Sequence, residues 1–336
     1  MKLQSILPTR QHTISKKTIA NTNIFPYLAA LRPRQWTKNL VVFAAPLFAF
    51  SINGQSLLGS LMAFVLFCCA SSSFYLLNDI ADVKSDRRHP LKCKRPIAAG
   101  LVSILIALAM AVTLLLGAII IGWWQAPSLG ITLLGYAILQ VAYNLKLKRV
   151  PILDIFAIAT GFILRAYAGY AANYEFFTAS RIYMSTWFLL CTAMLALFLA
   201  VEKRKAELRL LAVAGGKTRT VLKHYSLPLL TRMEGMVTTG AVMSYAIWSS
   251  GPQVNGASTP WMMLTLPFVV YGIFRYQFLS DPKDKLNGSD TDSKHSSKTE
   301  RPEAILLTDL PILFTVIGWI FTIVVILWLK HQGIIQ

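Results

Sequence analysis

Long apolar stretches recur along this chain, and crossing the hydrocarbon core of a bilayer takes roughly 20 such residues in an α-helix. Nine stretches fit this description: 38–53, 57–78, 101–123, 127–145, 151–172, 183–201, 233–250, 260–279 and 311–329. The first is short and contains Pro46, so its limits are the least well defined. A membrane barrel would instead show strands of about ten residues with alternating hydrophobicity. The sequence therefore predicts an all-α membrane protein with nine transmembrane helices.

Composition indicates a single membrane domain. Hydrophobic residues make up 55% of the 336 positions and charged residues only 14%, which is fewer charges than a soluble domain carries. We expect a basic cytoplasmic tail at 1–30 and one membrane domain at 31–336. Residues 281–302 are rich in Ser, Lys and Asp and poor in apolar residues. We therefore expect them to form a disordered cytoplasmic insertion.

The net charge of +18 is distributed asymmetrically. Basic residues collect in the connections 81–98, 146–149 and 202–232, whereas three alternate connections carry no charge: 53–56, 123–128 and 250–260. Only the connection with Glu175 and Arg181 interrupts this pattern. The asymmetry follows the positive-inside rule, so it predicts a cytoplasmic N-terminus and, after nine spans, a C-terminus outside. It indicates a membrane as the partner of these charges and argues against nucleic acid.

Cysteine and histidine residues give no sign of a disulfide framework or a metal centre. Four cysteines occur without C-x-x-C spacing, and three of them lie in apolar stretches. All five histidines lie outside those stretches, which argues against a haem or metal site within the membrane. The basic connection at 202–232 begins with EKRKAELRLLAVAGG. Its interleaved charges and leucines predict a short interfacial helix that ends at Gly215–Gly216.

An acidic motif, NDIADVKSD, follows the second apolar stretch at 78–86. On a helix, Asp79, Asp82 and Asp86 point within about 60° of one direction, with Asn78 on the neighbouring strip. Carboxylates next to a membrane need water or a cation, and a face of oxygen ligands beside basic residues suits Mg²⁺ that holds a diphosphate. A solvated helix end is the alternative, which the basic residues that follow at 92–95 disfavour.

Several motifs in order resemble the UbiA superfamily of intramembrane prenyltransferases, and within it the branch of the decaprenyl-phosphate phosphoribosyltransferases. The resemblance covers nearly all of the chain from residue 31. It is carried by LRPRQWTKNLVVFAAPLF at 31–48, SSSFYLLNDIADVKSDRRHPLKCKRPIAAG at 71–100, YNLKLKRVPILDIFAIATGFILRAYAG at 143–169, EKRKAEL at 202–208 and RPEAILLTD at 301–309. It implies a UbiA-type bundle in the cell (inner) membrane whose active cavity opens to the cytoplasm.

The second acidic motif separates this chain from the ordinary prenyltransferases that it resembles. Those enzymes carry D-x-x-x-D at this place, whereas here Asp154 is followed four residues later by Ile158. The departure resembles the phosphoribosyltransferase branch. The resemblance thus implies transfer of 5-phosphoribose from phosphoribosyl diphosphate to a polyprenyl phosphate. The sequence leaves the oligomeric state open.

The resemblance also implies roles for individual residues. The expected Mg²⁺ ligands are Asn78, Asp79, Asp82 and Asp86. Asp79, Asp82 and Asp154 are the expected catalytic residues, with Asp154 orienting ribose hydroxyls or supporting a second metal. The expected ligands of the donor phosphates are Lys92, Lys94 and Arg95, and those of the acceptor phosphate are Lys38, Tyr75, Lys148 and Arg165.

Several of these residues also have a purely structural explanation. Arg32 and Arg34 are equally typical of positive-inside residues, and Tyr75 of an interfacial tyrosine. Arg165 lies deep in its stretch, where an arginine nearly always faces a polar cavity, but an internal ion pair would also satisfy it. Asp154 and Arg165 share a stripe of one helix but lie about 16 Å apart along its axis, so they do not touch.

Two other functions remain open on the sequence. One is a UbiA-type prenyltransferase that moves a polyprenyl group from its diphosphate to an aromatic acceptor, against which the reduced second motif argues. The other is a transporter of an anionic solute, for which inverted repeats and broken helices at the midplane would be expected. The acidic motif at the cytoplasmic edge favours an enzyme.

The charge asymmetry makes a topological prediction. A reporter fused after Gln336 should face the exterior, because it follows all nine expected spans. A reporter inserted near Gly288 should face the cytoplasm, because it follows eight of them. Alkaline phosphatase and green fluorescent protein fusions measure the two sides. Both reporters on the same side would contradict the count of nine.

Overall fold

The structure, a computed structural model, describes residues 24–44, 54–89, 92–174, 184–214, 220–280 and 308–335. All regular structure in these residues is helical. Most of the expected tail and all of the expected insertion at 281–302 lie outside the described residues, so both stay predictions.

The chain forms ten α-helices within the described ranges, with 3₁₀ segments between them. The α-helices are α1 (Phe25–Ala30), α2 (Gly54–Ala81), α3 (Val83–Asp86), α4 (Ile104–Gln125), α5 (Pro127–Leu145), α6 (Leu153–Ala171), α7 (Thr186–Ala214), α8 (Leu227–Ser249), α9 (Leu266–Ser280) and α10 (Leu310–His331). The 3₁₀ segments are Pro33–Phe43, Lys92–Lys94, Leu147–Arg149, Thr220–His224, Pro252–Val254 and Pro260–Thr265.

Seven helical stretches of the described chain are long and apolar enough to cross a membrane. They correspond to seven of the nine expected spans, so the all-α membrane architecture is confirmed and the count of nine is not. The expected span at 233–250 forms a helix, α8, which carries Arg232 and Glu234 and is not among the seven. The expected span at 38–53 falls on a 3₁₀ segment that ends at Phe43 and on residues 45–53, which lie outside the described ranges.

Helix α6 lies between two apolar clusters. Ile155 and Ala159 pack in a cluster built with α7, α8, α9 and α10. Ala168 and Ala171, near the other end of α6, pack in a cluster built with α2, α4 and α5. The small residues on α6 let both groups of helices approach it closely, so α6 is the element that the two halves of the bundle share. Large apolar side chains on α4 and α10 are exposed, as expected of helices that face lipid.

Polar caps begin several helices. Ser103, Ser226 and Asp309 each accept a backbone N–H from the first turn of the helix that follows. Asp309 also pairs with Arg275 of α9, with 3.0 Å between Arg275 Nη2 and Asp309 Oδ2. Hydrogen bonds from this guanidinium hold the pKa of Asp309 below its ordinary value. The carboxylate therefore caps α10 in its charged form and fastens it to α9.

The prediction of a separate interfacial helix at 202–215 was wrong. The segment EKRKAEL continues α7, which runs from Thr186 to Ala214 without a break. Its charged side chains Glu202, Arg204 and Lys205 are buried rather than interfacial. They remain inside the bundle because each has an oppositely charged partner there.

Candidate active site

The acidic motif occupies the end of α2 and the short helix after it. Helix α2 ends at Ala81, and Asp82 adopts a turn conformation before the chain resumes a helix at Val83. Asp79 and Asp86 are buried, whereas Asp82 is exposed. The expected single face is therefore interrupted, because the turn at Asp82 directs this carboxylate to the surface.

Arg95 joins the two buried carboxylates. Its Nη1 donates to Asp79 Oδ1 at 3.0 Å and to Asp86 Oδ2 at 2.6 Å. Arg32 also donates to Asp79 Oδ1. We call Arg32, Asp79, Asp86 and Arg95 the acidic cluster. Its two carboxylates are buried, while more than a quarter of each arginine side chain is exposed. The cationic side of the cluster is thus the side that a ligand can reach.

The segment before the first 3₁₀ helix places Arg32. Arg32 has a positive φ of 56°, and its guanidinium lies 5.2 Å from the ring centroid of Tyr75. Trp36 Nε1 donates to Ser72 Oγ at 3.0 Å, and that hydroxyl donates to the Leu31 carbonyl at 2.9 Å. These bonds fasten the segment to α2, so Arg32 is a defined part of the site, which the positive-inside interpretation did not require.

The other cations expected at the site lie around the same end of the bundle or on the connection into α6. Lys92 and Lys94 are exposed in the 3₁₀ turn that leads to Arg95. Lys38 is half-buried, and its Nζ donates to Gln35 Oε1 at 2.6 Å. Lys148 is half-buried in the 3₁₀ turn between α5 and α6.

Asp154 lies in a separate, largely buried network. Arg204 Nε donates to Asp154 Oδ2 at 2.7 Å, and the Tyr225 hydroxyl donates to Asp154 Oδ1 at 2.7 Å. Arg204 Nη1 donates to Glu207 Oε2 at 2.6 Å. Neither the Asp154 nor the Arg204 side chain is exposed at all. The pair therefore fastens the start of α6 to α7.

Arg165 is buried in a third polar network, in which its hydrogen-bond partners are uncharged. Its Nε donates to Asn39 Oδ1 at 2.7 Å, its Nη1 to the Gly161 carbonyl at 2.7 Å and its Nη2 to the Tyr136 hydroxyl at 2.8 Å. Within the described ranges, no carboxylate forms an ion pair with Arg165. Its charge is held by neutral acceptors and by the face of Tyr136, 4.8 Å away.

A further buried network on α7 had no counterpart in the sequence interpretation. Lys205 donates to Glu202 Oε1 at 2.9 Å and also to Glu234 Oε2 of α8. Gln277 of α9 donates to Glu234 Oε1 at 2.8 Å. The i, i+3 spacing of Glu202 with Lys205, and of Arg204 with Glu207, was the available signal. The cross-helix partners could not be found from spacing alone.

The oxygen ligands expected for Mg²⁺ can be compared with this geometry. Among the described residues, no three His, Cys, Asp or Glu side chains converge as a bound metal requires. Asp79 and Asp86 do converge on one cationic centre, the guanidinium of Arg95. Asn78 and Asp82 lie close to Asp79 in the sequence and also carry side-chain oxygens, the donor type that Mg²⁺ prefers. The residue types therefore suit a magnesium ion, while Arg95 bridges Asp79 and Asp86 in this structure.

Comparisons with known proteins agree with the motifs. A family model described as the UbiA prenyltransferase family matches residues 40–297. A protein of Mycolicibacterium smegmatis named decaprenyl-phosphate phosphoribosyltransferase is 36% identical over an alignment of 309 positions that covers 88% of this chain and 90% of that protein. A protein of Corynebacterium glutamicum with the same name is 35% identical over an alignment of 342 positions that covers 97% of this chain and 95% of that protein.

A solved structure shares the fold. The structure of a UbiA homolog from Archaeoglobus fulgidus bound to DMAPP and Mg²⁺ has a TM-score of 0.63 and covers 90% of this chain and 99% of that one. Its sequence identity is 18%, so the likeness concerns the fold alone. The family model and the two relatives confirm the resemblance drawn from the motifs.

A substitution at Arg165 tests whether its hydrogen bonds to neutral groups stabilise the fold. Arg165→Lys should lower the free energy of unfolding by about 1–3 kcal/mol, because a lysine cannot reach Asn39 and Tyr136 together and leaves buried groups without partners. Arg275→Lys is the matched control, and it should cost about 1 kcal/mol or less because the pair with Asp309 is partly exposed. Thermal unfolding in detergent measures both. Equal destabilisation by the two substitutions would contradict the assignment.

Proposed function

Since this chain belongs to the UbiA prenyltransferase family, we propose that it transfers 5-phosphoribose from phosphoribosyl diphosphate to a polyprenyl phosphate. The observation that carries the proposal is the 34–36% identity to proteins named decaprenyl-phosphate phosphoribosyltransferase over 88% or more of the chain. The protein is accordingly a membrane-embedded transferase.

The second acidic position supports the same donor. Asp154 has no second carboxylate four residues later, and its own oxygens are engaged by Arg204 and Tyr225. A prenyl diphosphate donor would need the two acidic motifs that ordinary family members provide. This chain has one acidic motif together with an excess of cations, which suits a reaction whose donor and acceptor both carry phosphates.

The proposed reaction forms one bond and breaks one. A phosphate oxygen of the lipid attacks C1 of the ribose, and the C1–O bond to the diphosphate breaks, so the diphosphate leaves with the bonding electron pair. C1 gains oxocarbenium character in the transition state. Because the lipid phosphate is already an anion, it needs no strong general base.

The acidic cluster is the proposed donor end of the site. Arg32 and Arg95 present exposed guanidinium groups that bind the leaving diphosphate, and Lys92 and Lys94 in the adjoining turn bind further donor phosphates. Asn78, Asp79, Asp82 and Asp86 would hold Mg²⁺, which when bound stabilises negative charge on the diphosphate. Arg95 then exchanges its carboxylate partners for phosphate oxygens.

The acceptor end is proposed deeper in the bundle. Arg165 carries a buried positive charge, and its hydrogen-bond partners in the described chain are all neutral. An anion that binds beside it is therefore strongly stabilised by electrostatic attraction. Tyr75 lies under Arg32 at the border of the donor end. Lys38 and Lys148 complete the set proposed to bind the lipid phosphate, while the polyprenyl tail extends into the bilayer.

The proposal includes the orientation in the membrane. We place the protein in the cell (inner) membrane with the N-terminus and the site on the cytoplasmic side and the C-terminus outside. The basic connections 81–98, 146–149 and 202–232 support this orientation. Phosphoribosyl diphosphate, a soluble and highly charged donor, would reach the site from the cytoplasm.

A two-mixture assay tests the donor. Purified protein with Mg²⁺ receives either labelled phosphoribosyl diphosphate and a polyprenyl phosphate, or a labelled polyprenyl diphosphate and 4-hydroxybenzoate. Labelled phosphoribosyl lipid should form in the first mixture, and no prenylated aromatic product should form in the second. Product in the second mixture alone would overturn the proposal in favour of a prenyltransferase.

Asp82 tests the acidic motif, because its exposed side chain is not needed for packing. Asp82→Asn should lower kcat by at least about 100-fold at saturating Mg²⁺, while insertion and purification remain normal. Asp309→Asn is the matched control at an aspartate that caps α10, and it should retain activity within about twofold. Full activity of Asp82→Asn would remove this residue from the metal site.

A further inference from the structure

The carboxylate of Asp154 is fully engaged within the protein. One oxygen accepts from Arg204 Nε and the other from the Tyr225 hydroxyl, both at 2.7 Å. Burial, together with the hydrogen bond to Asp154, raises the pKa of Tyr225. A tyrosine hydroxyl is protonated at neutral pH, so that of Tyr225 is a donor to Asp154. A metal ion or a ribose hydroxyl would have to displace one of these two partners.

The connection that precedes Asp154 carries backbone strain. Ile152 has φ of 70° and ψ of −50°, a conformation that a β-branched residue rarely adopts. Strain of this kind persists where surrounding contacts impose it, and such residues cluster at functional sites. The contact here is again Tyr225, whose hydroxyl accepts the Ile152 N–H at 2.5 Å.

Tyr225 thus fixes the chain on both sides of Leu153, through the backbone of Ile152 and the side chain of Asp154. The ring of Tyr225 is itself buried in the cluster around α7 and α8, so its hydroxyl is held in place. The connection 146–152 contains Lys148 in the 3₁₀ turn Leu147–Arg149. Fixing the end of this connection at Ile152 limits the positions that Lys148 can take.

We infer that Asp154 is a positioning residue rather than a ligand of metal or ribose: with Arg204 and Tyr225 it holds the strained connection 146–152 so that Lys148 meets the lipid phosphate. Arg204 supplies to Asp154 the positive charge that a second metal would otherwise supply. The inference rests on the proposed function for the role of Lys148. It assigns to Arg204 and Tyr225, for which the sequence analysis gave no role, a part in acceptor binding.

Tyr225→Phe separates this role from packing, because it keeps the buried ring and removes only the hydroxyl. Its matched control is Tyr245→Phe, a second buried tyrosine whose hydroxyl bonds to Thr265 and Trp319, away from the connection. Affinity is measured with a polyprenyl phosphate and with phosphoribosyl diphosphate by calorimetry in detergent, which needs no turnover. Hydrogen exchange measures the backbone amides of 150–154.

Tyr225→Phe should raise the Kd for polyprenyl phosphate about tenfold, leave the Kd for phosphoribosyl diphosphate within twofold, and speed exchange of the Ile152 amide. Tyr245→Phe should change none of these. Equal Kd values for the lipid phosphate in wild type and Tyr225→Phe would overturn the inference alone. A wild-type protein that binds no polyprenyl phosphate would overturn the proposed function and, with it, the inference.

Two further variants keep the test decisive if Tyr225→Phe does not fold. Ile152→Gly tolerates the positive φ without strain, so the protein should fold while the connection loosens, and the Kd for polyprenyl phosphate should again rise. Asp154→Asn should bind the same number of Mn²⁺ ions as wild type in a paramagnetic titration. Loss of one Mn²⁺ equivalent in Asp154→Asn would show a metal ligand and overturn the inference.

Discussion

The ion pair between Asp154 and Arg204 joins the two helices on which the arrangement of this bundle depends. Helix α6 contributes to both apolar clusters, and its charged residues must find partners inside the protein because the bilayer offers none. Asp154 finds its partner on α7, and Arg165 finds neutral partners on α5 and the first 3₁₀ segment. Charge compensation thereby fixes α6 against the elements on either side.

The charged residues form two groups: buried networks that join the helices, and partly exposed arginines that a ligand can reach. The networks of Arg204 with Asp154 and of Lys205 with Glu202 and Glu234 are buried, and each joins different helices. In the acidic cluster, by contrast, the guanidinium groups of Arg32 and Arg95 are partly exposed. A buried ion pair contributes little net stability but leaves a costly unpaired charge when one partner is lost. The buried networks therefore suit a rigid frame, and the exposed arginines suit exchange of partners.

Arg95 illustrates how such an exchange serves the proposed chemistry. Without a ligand it bridges Asp79 and Asp86, and so keeps two buried carboxylates neutralised. In the proposed reaction, Asp79 and Asp86 would hold a divalent cation that supplies the positive charge Arg95 supplies here, and the guanidinium of Arg95 would be available to a phosphate. The same residues thus remain compensated in both states, which a membrane-embedded acidic motif requires.

Local pattern was sufficient for much of the fold. Seven of the nine apolar stretches form helices that can cross a membrane, because length and hydropathy are properties of each segment by itself. The motifs also predicted roles for Asp79, Asp86, Arg95 and Asp154, and these roles stay predictions. The motifs did not predict that α2 ends at Ala81, because the turn at Asp82 depends on how the loop that follows it packs.

The sequence by itself determined the helical class, the family and the acidic residues, because hydrophobic length and motif spacing are encoded over short distances. Only the tertiary structure decided the partners: Arg32 for Asp79, Arg204 and Tyr225 for Asp154, and Asn39 and Tyr136 for Arg165. These partners lie 29 to 126 positions apart. Which of many basic and polar residues reaches a buried charge is settled by how helices cross, and no local periodicity carries that information.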